Sequence, residues 1–244
     1  MSGTSMRRGV AKRQLLDDGL LRGPSDVGWR EEDPWRVLRI QSEFVEGFEA
    51  LEDLGPAVSV FGSARIKPGS VYYEAAETIG ELLAKRGVAV ITGGGPGVME
   101  ASNRGADEAG GKSVGLCIEL PIEETFNSYV NLGVSFRYFF TRKVMFLKYA
   151  SGFIALPGGL GTMDEVFEVL TMMQTGKIIK YPIVLFGKEY WSGLWAWLRE
   201  MAAESGYIGV ADPDLVLLTD DAAEAVDYAV SNIVSRLGAT SQMA

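Results

Sequence analysis

The stretch LPGGLGTMDEVFEVL, Leu156 to Leu170, combines two things that chemistry on a phosphorylated sugar would need: a glycine-rich turn opening a helix, and carboxylates directly after it. In a regular element each glycine costs up to ~1 kcal/mol relative to alanine, so three in one turn indicate unusual torsions or close approach by another group. Free N–H groups and the helix dipole at such a turn stabilise an anion by ~0.3–2 kcal/mol. Two more turns of this kind, FGSARIKPGS and TGGGPGVMEA, occur in the chain. One would be explained as well by tight packing as by a ligand, but three on one edge of a sheet point to a nucleotide-like ligand.

Asp164 and Glu165 fall in the first turn of the helix after the glycines, where acids also serve simply to complement the dipole. A carboxylate beside a phosphate cradle has an electrostatic cost, so its functional reading is an acid aimed at a neighbouring carbon or proton. On a sugar phosphate that carbon is C1 of the ribose, whose bond to a base breaks through an oxocarbenium-like state that a carboxylate stabilises while activating water. Arg142 and Lys143 lie in TRKVMF. Adjacent cations on a helix usually mark a solvated surface, yet the surrounding FRYFFTRKVMFLKY is mostly apolar and favours an arginine that faces a ligand, where it can grip phosphate bidentately.

The elements that must position these residues follow from periodicity. Short β-rich runs at 57–62, 88–93, 113–118, 152–157, 182–187 and 214–219 alternate with helical segments, with an ambiguous segment around VSFRYFF and a helix over TRKVMFLKYAS. Apolar strands separated by helices describe a mostly parallel sheet covered on both faces, so the expected fold is a Rossmann-like, doubly wound α/β sandwich. Its ligands sit outside the carboxyl ends of the strands, where the glycine turns fall. The expected organisation is a flexible arm over 1–33, an N-terminal helix over 34–55, one nucleotide-binding domain over 56–238 and a tail over 239–244. In the N-terminal helix Val37, Ile40, Phe44, Val45, Phe48 and Leu51 recur at three and four residue spacings, predicting one packed face. The tryptophan-rich YWSGLWAWLREM is read as core rather than as a surface for a partner.

Composition removes several alternatives. The chain has 244 residues and no histidine, which excludes serine–histidine triads, HExxH zinc sites and His–Cys metal sites. A net charge of −9 argues against broad capture of nucleic acid or anionic membrane. The basic N-terminus lacks a signal-peptide apolar segment and no long apolar run occurs, so a cytoplasmic protein is expected. The lone Cys117, in VGLCI, reads as a small core residue. GGGPGV misses the dinucleotide fingerprint because its last glycine comes one residue early, although Glu119 could mimic the ribose-binding acid. ADEAGGKS resembles a relaxed P-loop but lies between a helix and a strand, the reverse of the required order, and reads as a helix end closed by Gly110 and Gly111.

Taken together, GGGPGVMEA, RKVM and PGGLGTMDE resemble the LOG family of cytokinin-activating nucleoside 5′-monophosphate phosphoribohydrolases, whose members have often carried the label possible lysine decarboxylase. The likeness runs from about Ala57 through the end of the 180s, and more loosely beyond. It implies a Rossmann-like homodimer that hydrolyses the N-glycosidic bond of a nucleotide such as AMP or an N6-modified adenylate, releasing base and ribose 5-phosphate, without metal or organic cofactor. By position it implies Arg142 and Glu165 as catalytic, and Lys143, beside the arginine, as a substrate- or phosphate-binding residue. It implies phosphate binding by Gly158, Gly159, Gly161 and Thr162 with Gly94, Gly95 and Gly97, and a substrate contact at Thr171. The other substrate-side glutamate falls on Glu119 or Glu124, because IELPIEETFNSYVN departs in length from the plant-type pattern, and Asp164 replaces a common glutamate. The decarboxylase label does not fit: a pyridoxal enzyme needs a Schiff-base lysine, and none stands among the glycines of GGGPG or PGGLG. Against hydrolysis stands a nucleotide- or cofactor-binding carrier that uses the same cradle without turnover.

Overall fold

A computed structural model describes residues 29–119, 126–209 and 212–233. Most of the expected N-terminal arm, the C-terminal tail and Glu124 lie outside these residues. Seven strands form one sheet in the order β4-β3-β2-β1-β5-β6-β7, every neighbouring pair parallel. They are β1 (Ala57–Phe61), β2 (Ala89–Thr92), β3 (Ser113–Ile118), β4 (Leu132–Phe136), β5 (Gly152–Ala155), β6 (Ile183–Phe186) and β7 (Val216–Thr219). The helices are α1 (Trp29–Leu51), α2 (Val71–Lys85), α3 (Val98–Glu108), α4 (Phe139–Tyr149), α5 (Leu160–Gln174), α6 (Lys188–Trp197), which runs on into a π-helical turn, Leu198–Ala203, and α7 (Ala222–Ala229). This is the expected doubly wound α/β architecture.

Side-chain alternation along the strands builds a core on each face. Phe61, Ile91, Leu116, Phe153 and Leu185 join Leu51, Met145, Phe146, Val166 and Trp191 under α1, α4, α5 and α6. Val60, Val90, Ile154 and Val184 join Ile79, Ala101 and Val226 under α2, α3 and α7. Strand order reverses between β1 and β5, so the crevice at their carboxyl ends is the switch point where such folds bind ligands. The glycine turns after β1, β2 and β5 all open there, on three adjacent strands.

Four sequence expectations change. The segment around VSFRYFF contains β4, an edge strand whose alternating burial never produces an apolar run. The N-terminal helix begins at Trp29, within the expected arm. Its inner side is the expected one only in part: Leu51 is buried and Ile40 and Phe44 are half-buried, as expected, but Val37, Val45 and Phe48 are exposed and Arg36 and Gly47 take inner positions. A Cβ on Gly47 would lie 2.8 Å from the Met145 methyl, so a glycine marks the tightest contact with α4, and a count of apolar periodicity cannot register it. In the tryptophan-rich segment Trp191 and Trp195 are core, but Trp197 is more than half exposed. The glycines of ADEAGGKS do close α3: Gly110 has φ +75° and its amide donates to the Asp107 carbonyl, while Gly111 donates to Ala106. Among the described residues no helix is long and apolar enough to cross a membrane.

Candidate active site

The three glycine turns hold one another. The Ser63 amide, in the first, donates to the Pro157 carbonyl at the third (3.0 Å), and the Ser63 carbonyl accepts from Val98 at the start of α3 (3.1 Å). Gly97 has φ +72° and a Cβ there would lie 2.4 Å from the Ser63 carbonyl oxygen, so torsion and close approach both require glycine. Beneath the second turn lies a polar network that no sequence motif announces. The Thr92 hydroxyl donates to Asn103 Oδ1 (2.6 Å) and accepts from the Gly94 amide (2.9 Å). Asn127 Nδ2 reaches the carbonyls of Gly94 (3.1 Å) and Gly95 (3.0 Å). A fully buried asparagine inside an amphipathic helix, Asn103, is the one signal in the sequence that could have exposed this network.

The third turn has a different logic. Neither Gly159 nor Gly161 has positive φ, and a Cβ built on either meets nothing within 4 Å. Neither torsion nor internal packing asks for glycine at these two positions, so both faces are open to an approaching group. Gly158 instead makes room for Thr162, whose Oγ1 would stand 2.1 Å from a Cβ there. Gly159 is the N-cap of α5 and supplies no side-chain cap, so the first amides of the helix remain available to an anion. The Tyr190 hydroxyl, from α6, donates to the Gly158 carbonyl at 2.5 Å. In a planar trans peptide the carbonyl and the following N–H point opposite ways, so this bond aims the Gly159 amide away from Tyr190.

Across the crevice α4 presents the two cations. It begins at Phe139, three residues before Arg142 and thus earlier than expected. Arg142 lies between the rings of Phe139 and Phe146, 5.4 and 5.6 Å from their centroids, and Nη2 is 3.7 Å from Glu165 Oε1. Its buried Nε has no hydrogen-bond partner. Nη1 would be 3.9 Å from a Cβ on Gly93, which sets the guanidinium between the second glycine turn and Glu165. Burial works against its charge, and Glu165 supports it. Lys143 shares Glu165 with Arg142 but lies among the acids of α5: its Nζ is 2.7 Å from Glu168, 2.9 Å from Asp164 and 3.5 Å from Glu165. Burial disfavours the ammonium, but hydrogen bonds to Glu168 and Asp164 outweigh it and raise its pKa.

Glu165 is 6% exposed. Burial raises its carboxyl pKa, Lys143 and Arg142 pull against this, and Glu168 and Asp164 add to the rise. The result is a desolvated carboxylate one helical turn from the glycines, with a guanidinium on one oxygen and an ammonium on the other. Such an arrangement can hold a phosphorylated ligand by backbone amides and Arg142 while setting a carboxylate beside it.

The structure thus brings together Gly94, Gly95, Gly97, Gly158, Gly159, Gly161, Thr162, Arg142, Lys143 and Glu165. Glu119 lies exposed at the same edge, just beyond β3, its amide bonded to the Phe136 carbonyl. Cys117, two residues earlier, is half-buried and not core as expected: its Sγ would lie 2.9 Å from a Cβ on Gly94. Thr171 is placed elsewhere. It is six residues beyond Glu165, ~9 Å of helix rise, where it lines a cleft of about 90 Å³ with Phe167, Trp195 and Leu198. Lys67, in the first turn, is exposed.

Residues 99–229, just over half the chain, match the family model described as possible lysine decarboxylase. The chain is 32% identical over 170 residues to a cytokinin riboside 5′-monophosphate phosphoribohydrolase of Rhodococcoides fascians, covering 68% of this chain and 84% of the relative. It is 31% identical to the rice enzyme of that name, cytokinin riboside 5′-monophosphate phosphoribohydrolase LOG, covering 68% of each. Among solved structures, the molybdenum cofactor carrier protein of Chlamydomonas reinhardtii superposes with a TM-score of 0.55 at 23% identity, over 73% of this chain and 98% of that one. At that identity the likeness is one of fold.

Proposed function

The chain belongs to the LOG family, the group described as possible lysine decarboxylase, and on that premise we propose that it hydrolyses the N-glycosidic bond of a purine nucleoside 5′-monophosphate, releasing base and ribose 5-phosphate. The observation that carries this reading is the pairing of buried Glu165 with Arg142 in front of the open faces of Gly159 and Gly161. In this reading the amides at the start of α5, Thr162 and the Arg142 guanidinium hold the 5′-phosphate. Glu165 assists attack by water at C1 and stabilises the positive charge that develops on the ring. Lys143, held by three carboxylates, orients Glu165 and keeps it ionised rather than binding phosphate. The names of the relatives support this substrate class, with AMP or an N6-modified adenylate as the first substrates to try.

The test is incubation with a panel of nucleoside monophosphates and chromatography for free base and ribose 5-phosphate. Nucleotide binding with no released base across the panel would favour a carrier over an enzyme. Light scattering on the same sample tests the homodimer that belongs to this reading, which the exposed Phe139, Phe140 and Val144 on α4 support.

Two further expectations arise from the geometry. Tyr190→Phe removes the bond that orients the Gly158–Gly159 peptide, and should raise KM for the nucleotide about 2- to 10-fold with kcat little changed. An unchanged KM would detach Tyr190 from phosphate binding. The second concerns pH. Glu165 acts ionised and its pKa is raised in the free protein, so kcat/KM should fall as pH drops through a value above the ordinary ~4.3 of glutamate. Stability runs oppositely: a raised folded-state pKa contributes stability below the unfolded value, and this is lost as pH rises through the folded one. An acid limb of the kcat/KM profile at or below the ordinary value would contradict the assignment.

A further inference from the structure

Helix α1 lies ahead of the stretch that the family model matches, yet one of its side chains reaches the root of the helix that carries Arg142. Glu43 Oε1 accepts from the Arg137 amide (2.9 Å) and Oε2 from the Tyr138 amide (3.3 Å), the two residues through which the chain enters α4. The hydroxyl of Thr141, fully buried and next to Arg142, shares its hydrogen between Glu43 Oε2 (2.7 Å) and the Tyr138 carbonyl (2.6 Å). Tyr138, the N-cap, contributes no side-chain cap of its own. A carboxylate is also the charge that the positive end of the α4 dipole favours.

The rest of the α1–α4 contact keeps the same register. Gly47, four residues after Glu43, admits Met145, and the Phe48 carbonyl accepts from the Tyr149 hydroxyl (3.2 Å). Residues 43, 47 and 48 thus meet 141, 145 and 149 along two helices running the same way. Arg142 projects from the pinned turn, and its own partners there are two ring faces and Glu165 at 3.7 Å, none of which fixes the helix axis.

We infer that Glu43 is a positioning residue for the active site: its carboxylate pins the entry of α4 and so sets where Arg142 stands relative to Glu165 and the glycine turns. The inference rests on the reading of Arg142 and Glu165 as the reactive pair, but it makes a claim about α4 that needs no substrate. A misplacement of about 1 Å at a group that aligns substrate can cost on the order of 10²-fold in rate, so a small shift at the root of α4 is enough to matter.

The experiment uses the full chain with Glu43→Ala and the isosteric Glu43→Gln, measuring amide hydrogen exchange and steady-state hydrolysis of the best nucleotide in the panel. Exchange at 137–143 should quicken about tenfold or more in Glu43→Ala while the remote α7 is unchanged, the scale of losing hydrogen bonds to a charged acceptor. kcat/KM should fall about tenfold or more, and Glu43→Gln, which keeps the shape and one acceptor but loses the charge, should lie between Ala and wild type in both readouts. Glu43→Gln indistinguishable from wild type, or quickened exchange spread evenly over α4 and α7, would make Glu43 a general stabiliser and overturn the inference. A wild-type chain that hydrolyses no nucleotide would defeat the proposed reaction alone, and the exchange pattern would still decide the role of Glu43.

Discussion

Replacing Glu165 by alanine is expected to lower the rate of base release by on the order of 10²–10³-fold, the scale for losing one transition-state stabiliser, with KM for the nucleotide changed little. The split between the constants follows from where the carboxylate stands. In the proposed reading the phosphate-facing groups are the amides at the start of α5, Thr162 and Arg142, and none of them depends on Glu165 for its backbone position. Lys143 loses one of three carboxylates and keeps Asp164 at 2.9 Å and Glu168 at 2.7 Å, so the first turns of α5 remain tied to α4. Removing Glu165 leaves the buried Arg142 guanidinium without the carboxylate that supports its charge, so the thermal midpoint should fall, and the rates are compared at a temperature where circular dichroism shows the variant folded. Glu165→Gln, which fills the same space without charge, should be nearly as slow as the alanine variant. Wild-type turnover in either would sink the assignment.

The site was legible where local chemistry is written in local sequence. PGGLGTMDE places a helix start, open glycines and an acid within a few residues of one another, and the structure keeps that order; but the helix opens at Leu160, so Asp164 and Glu165 fall in its second turn and not in the expected first. The sheet was legible for a similar reason, since a strand buried on both faces is a continuous apolar run; β4, at the edge, is the one that blurred. What could not be read were the contacts that close over long stretches of chain. Glu43 bonds residues nearly a hundred positions away, Tyr190 reaches back to Gly158, and Asn127 joins Gly94 and Asn103 across a strand. Each is a common polar residue whose meaning is its partner. The same blindness misassigned half of the inner face of α1: Ile40, Phe44 and Leu51 do lie on it, but polar Arg36 and small Gly47 sit inside with them and Val37, Val45 and Phe48 outside.

Lys143 shows how geometry divides a motif that sequence treats as one unit. Arginine and lysine side by side suggest two phosphate ligands, but successive positions on a helix are about 100° apart, and although both side chains reach Glu165 they come to it from different sides. Arg142 turns to the glycines between two aromatic rings, whereas Lys143 turns to the acids of α5. In the proposed reaction one cation meets the substrate's charge and the other steadies the carboxylate that reacts.

Truncating Arg142 to alanine should therefore damage binding and chemistry together, with kcat/KM down on the order of 10²–10³-fold, the range for removing one partner of a buried charge pair. Loss of a phosphate ligand raises KM. Loss of a cation 3.7 Å from Glu165 removes one of the two influences that hold its pKa down, so the carboxyl rises further and the acid limb of kcat/KM moves to higher pH. Arg142→Lys separates the two effects, since an ammonium keeps the charge beside Glu165 but lacks the planar fork that grips two phosphate oxygens. In that variant the acid limb should return toward the wild-type position while KM stays raised. Each constant is read from the same set of rate measurements against nucleotide concentration and pH. An alanine variant with unchanged KM would remove Arg142 from the phosphate site. An unshifted acid limb would leave the Glu165 carboxyl to burial and Lys143 alone.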